Sequence, residues 1–79
     1  MIYGVYVVYD KKTGYLPPQV DINDASAVRN FTNACRRPDS LMFSNGSDYE
    51  LYKIASYNTD NGVIEPIEKE FLVNGEDHA

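Results

Sequence analysis

Seven tyrosines, one cysteine, one histidine and no tryptophan set the chemistry open to this chain. Nucleophilic or metal-assisted catalysis needs a base, a ligand or an activated nucleophile held close to a partner group. His78, the sole histidine, stands one residue from the end of the sequence, and Cys35 is the sole thiol. A zinc site of the usual Cys/His composition cannot be completed within one such chain. Asn58-Thr59-Asp60-Asn61-Gly62 resembles the start of a calcium loop, but the glycine comes one place early and no glutamate stands at the closing position, so a hairpin turn accounts for it better. No glycine-rich phosphate cradle is present. Cys35 falls at an apolar helical position and reads as a small buried hydrophobe. Asn30-Phe31-Thr32 and Asn45-Gly46-Ser47 match the glycosylation pattern, which without an export signal has no bearing. The sequence therefore predicts a protein that is not an enzyme and calls for no cofactor and no metal.

Binding is the remaining option, and the residue types for it are aromatic rings and cations. On an exposed sheet face, tyrosines stack unpaired bases at about 1–3 kcal/mol each, and a nearby cation meets phosphate. Alternation along a strand puts Tyr49, Lys53 and Tyr57 on one face, and Tyr15 is expected to point away from the helix side, with Leu16, Val20 and Ile22 toward it. The charge distribution restricts where an anion would dock. Net charge is −5, yet residues 1–37 carry five basic and three acidic groups, while residues 38–79 carry two basic and nine acidic. A balance of +2 thus precedes one of −7, and Arg29, Arg36 and Arg37 join Lys53 as the electrostatic candidates. The bland reading is that the tyrosines are ordinary strand residues and that Arg36 and Arg37 complement the negative end of a helix dipole.

Positioning these groups requires a scaffold, and 79 residues allow one domain with a thin margin of stability. Ile2 to Tyr9 is apolar on both alternating faces, as a central strand covered on both sides would be. Asp10 to Gly14 forms a turn into a second strand, Tyr15 to Ile22, which Pro17 and Pro18 confine to a sheet edge or delay in its pairing until Gln19. Asn23 and Asp24 supply capping oxygens for a helix over about Asp24 to Arg36, with Ala27, Val28, Phe31, Ala34 and Cys35 on its apolar stripe and Pro38 beyond its end. Asp39 to Asp48 reads as an irregular connection with Leu41, Met42 and Phe43 partly packed beneath it. Tyr49 to Tyr57 is a third strand, Asn58 to Gly62 a turn, and Val63 to Ile67 a short fourth strand; Phe71 to Val73 packs back before a disordered polar tail from Asn74 to Ala79. The expected fold is α+β, a small antiparallel sheet of about four strands in ββαββ order with one helix on one face. No apolar run is long enough to cross a bilayer.

Tyr6-x-x-Tyr9-Asp10-x-Lys12-x-Gly14-Tyr15, Asn23-Asp24-Ala25-x-Ala27-x-Arg29-x-Phe31, Pro38-x-Ser40, Asp48-Tyr49-x-Leu51-Tyr52-x-Ile54 and Gly62 follow one another in an order that resembles the small nonstructural protein of gokushovirus-type microviruses, bacteriophages with circular single-stranded DNA genomes. The similarity runs from about Tyr3 to Pro66. It implies a noncatalytic protein of the host bacterial cytoplasm that binds single-stranded DNA and acts in the switch to single-stranded genome synthesis and packaging. It carries no set of contact residues to individual positions here. The rival reading is an adaptor for a phage replication or capsid protein, or for a host factor, that never touches DNA. On either reading the small tyrosine-rich domain is expected to form a homodimer, with no membrane partner.

Overall fold

The computed structural model describes residues 1–78, and within them one antiparallel sheet carries one main helix. Strand β1 (Ile2–Asp10) is central, as its two apolar faces predict. On one side it pairs with β2 (Gly14–Tyr15) and β3 (Gln19–Asp21), two short strands in line along the same edge. On the other side lies β4 (Tyr49–Asn58), followed by β5 (Ile64–Asn74) at the far edge. The five strands thus occupy four positions. Pro17 and Pro18 sit between β2 and β3, where a missing N–H breaks no interior ladder.

Helix α1 (Asp24–Cys35) begins where the sequence places it. The Asn23 side chain accepts from the Ser26 amide at 2.8 Å, the capping bond that satisfies a free N–H of the first turn. Ala27, Phe31 and Cys35 are buried along its inner stripe, against Tyr6 of β1 and Tyr49 and Leu51 of β4, with Val28 partly buried beside them. The long connection is less irregular than expected: Ser40 caps a single turn, α2 (Leu41–Ser44), which packs Met42 against the core and leaves Leu41 and Phe43 exposed.

Two further departures concern the end of the chain. The fourth strand does not stop near Ile67 but continues to Asn74, taking in Phe71, Leu72 and Val73. Pro66 does not interrupt it, because β5 is an edge strand with no neighbour on its outer side. Asn74, where the sequence predicts a polar tail, is the last residue of β5; a 3-10 turn spans Gly75–His78 and touches α1, and Ala79 lies outside the described residues. Gly75 also lets this turn pass close to the backbone at Gly46: a Cβ there would stand 2.3 Å from the Gly46 carbonyl oxygen. Among the described residues no helix is long and apolar enough to cross a membrane.

Candidate functional site

Residues directly opposite each other in an antiparallel ladder share a face, so the registers assign every paired side chain. Tyr6 opposite Lys53, Val8 opposite Leu51 and Asp10 opposite Tyr49 define the helix side. Tyr3 opposite Tyr57, Val5 opposite Ala55, Val7 opposite Tyr52 and Tyr9 opposite Glu50 define the other. The pairing slips between Val5 and Tyr6, where Ile54 is an extra residue on β4, and such a bulge reverses the alternation beyond it. Period two therefore fails across Ile54. Tyr49 and Lys53 face the helix, and Tyr57 alone of the three faces away.

Tyr49 is only 7% exposed and belongs to the core, so its ring is not part of an open platform. Burial, then the neighbouring Asp10 carboxylate, pushes its hydroxyl pKa up. Asp10, itself buried, accepts from the Lys12 amide and the Thr13 hydroxyl, each at 2.9 Å, and fixes the turn that follows β1. Those bonds, the Lys12 amide foremost, hold its carboxyl below the usual range. Lys53 is committed on the helix side as well. Its ammonium lies 3.1 Å from Asp24 in the first turn of α1, and the same carboxylate accepts from the Tyr6 hydroxyl at 2.6 Å. The Tyr6 bond, then the Lys53 contact, lowers the Asp24 pKa, while burial, then donation to Asp24, raises that of Tyr6. Gly4 leaves the space for this network, since a Cβ there would stand 2.2 Å from the Tyr6 hydroxyl. Lys53 is thus part of the clamp between sheet and helix.

Arg29, on α1, and Arg36 and Arg37, at its C-terminal end, are exposed and lie on the helix side of the sheet. Tyr15 lies opposite Tyr9 and so on the helix-free side, as expected. Val20, opposite Val5, also lies there and not toward the helix. The Pro17-Pro18 interruption is the cause: Gln19 stands four positions beyond Tyr15, whereas their partners Tyr6 and Tyr9 are three positions apart, so the strand changes parity between β2 and β3. The structure brings Tyr15 and Tyr57 to one face and the three arginines to the other side of the molecule.

What the helix-free face does assemble is an aromatic cluster at the end of the sheet nearest Asp10. Tyr9 and Tyr15 have ring centroids 4.7 Å apart, and Tyr52 meets Phe71 edge to face at 5.7 Å. The Lys69 ammonium, from β5, lies 4.8 Å from the Tyr52 centroid and 5.0 Å from that of Tyr15, and it donates to the Tyr15 hydroxyl, so it joins the two pairs. Tyr52 donates to Glu50 at 2.8 Å, a bond that raises its own pKa. Tyr15 and Phe71 are about half exposed. Lys11 and Lys12, in the turn after β1, are exposed at the same end. Tyr9, Tyr52, Phe71 and Lys69 are absent from the sequence-derived set. Tyr9 and Tyr52 were legible there as aromatic strand residues; Phe71 and Lys69 depended on the true length of β5.

Fold and site together define a small α+β protein whose sheet is covered by a helix on one face and carries an aromatic and cationic cluster on the other. The family model described as Phage ORF5 protein matches residues 3–78, and the chain belongs to that family of phage proteins. No curated protein and no solved structure matches it.

Proposed function

We propose that this is a noncatalytic nonstructural protein of a gokushovirus-type microvirus that binds single-stranded DNA in the host bacterial cytoplasm and favours single-stranded genome synthesis and packaging. The observation that supports this reading is the cluster of Tyr9, Tyr15, Tyr52 and Phe71 around Lys69 on the helix-free face. Half-exposed rings offer π-faces to unpaired bases whatever their identity, and a cation among them meets the phosphates between. An exposed cation–π contact is worth only about 0.5–1 kcal/mol, so Lys69 leaves the rings for a phosphate at small cost. Lys11 and Lys12 extend the local positive charge, which matters more for docking than the net charge of −5 carried mainly by the second half of the sequence. Nothing in this reading requires a cofactor.

Fluorescence anisotropy with a labelled single-stranded oligonucleotide over a salt series tests it. Binding should weaken steeply with salt. Tyr15→Ala and Phe71→Ala should each cost about 1–3 kcal/mol of affinity with little change in salt slope. Lys69→Ala should lower that slope by about 0.7. Absence of binding at low salt would remove DNA from the account and favour the adaptor reading.

A further inference from the structure

Away from the aromatic cluster, the helix-free face changes character. The registers align two rows across the sheet: Val20, Val5, Ala55 and Pro66 in one, and Tyr3, Tyr57 and Ile64 in the next. None of these side chains is charged. Val5 and Ala55 are already buried, but Val20 and Ile64, at opposite edges of the face, remain 49% and 57% exposed.

We infer that this uncharged half of the sheet face is the contact surface for a second copy of the same chain, packed face to face. Three observations select that occupant. A polyanion gains nothing here, because phosphate affinity comes from cations and the rows contain none. A partner recognised through complementary charge finds none here, since the only polar groups of the two rows are the two tyrosine hydroxyls. A second copy brings the same uncharged surface, so two chains of net charge −5 can meet with their carboxylates elsewhere. Edge pairing is the other route to a dimer, and both edges oppose it. Pro17 and Pro18 interrupt one, while Pro66, Glu65, Glu68, Lys69 and Glu70 protect the other with a proline and charges. Face-to-face sheets pack about 10 Å apart with interleaved side chains, a spacing that suits Val20, Ile64 and the two tyrosines. The aromatic and cationic end stays outside the contact.

Sedimentation equilibrium of the full chain without DNA, at micromolar concentrations, should give twice the 8.9 kDa of one chain. Val20→Asp and Ile64→Asp should each raise the dimer dissociation constant on the order of 100-fold or more. Leu41→Asp, at a still more exposed apolar position on the helix side, should leave it unchanged. In a half-labelled wild-type sample, intermolecular NOEs should appear at the methyl groups of Val20 and Ile64, which locates the contact without substitution. A monomeric mass throughout, equal dissociation by Leu41→Asp, or intermolecular NOEs at Leu41 and Phe43 instead would each overturn the inference. Mass is read without DNA, so failure here is distinguishable from failure to bind single strands.

Discussion

At the scale of single residues, Tyr6 shows how a tyrosine became structural. Its ring lies over Gly4, it is buried, and its hydroxyl donates to Asp24 at the start of α1. Its folded pKa lies above the ordinary value of about 10, so above that pH the unfolded chain releases a proton that the folded one retains, and stability falls as pH rises from about 10. Tyr6→Phe should reduce this alkaline loss and cost about 1 kcal/mol at neutral pH, since Asp24 is partly solvated and keeps Lys53. Urea denaturation at several pH values between neutral and alkaline checks both. Asp10 and Asp24 work in the opposite direction. Their folded pKa values lie below the unfolded value of about 3.9, so their stabilisation is complete above that pH and is lost as pH falls through the folded values. Asp10→Asn should flatten this acid limb, and an unchanged limb would mean that the turn after β1 contributes nothing to it.

At the scale of elements, the helix was readable and the strand faces only in part. Asn23, the stripe through Ala27, Phe31 and Cys35, and Pro38 are local signals, and α1 follows them to within a residue. Phe31→Ala should cost about 3–5 kcal/mol, because the ring is buried against Tyr6, Tyr49 and Leu51, whereas Val28→Ala at the partly buried edge should cost about 1 kcal/mol. Similar midpoints for the two in urea would mean that the helix is rotated about its axis. Strand parity is a different problem. One extra residue at Ile54 and another around Pro17-Pro18 move Tyr49, Lys53 and Val20 to faces that simple alternation does not give them. A bulge depends on which residue of the neighbouring strand lies opposite, so it leaves no local mark on the sequence. The length of β5 escaped for a related reason: Pro66 is a breaker only where both sides of a strand are paired.

For the whole molecule, which is about 40 Å long and 18–21 Å across, the decisive feature is that sheet and helix separate two kinds of charge and ring. At physiological salt the screening length is about 8 Å, so groups on opposite sides of the sheet act nearly independently. On the DNA-binding reading, Lys69→Glu should lower affinity for single strands about tenfold, and joint reversal of Arg36 and Arg37 by less than about threefold. Equal losses in the same anisotropy assay would mean that the strand also passes over the end of α1. The sequence by itself determined that the fold is small and α+β, where its helix begins and ends, that β1 is central, and that Pro17-Pro18 confines its strand to an edge or delays its pairing until Gln19. Each of these rests on periodicity, capping or backbone chemistry within a few neighbouring residues. Tertiary structure alone decided which tyrosines form a platform, because pairing between strands distant in sequence sets the bulges that assign faces. It also committed Lys53 to Asp24 and brought Lys69 to Tyr15, contacts between residues 29 and 54 positions apart that no local pattern encodes.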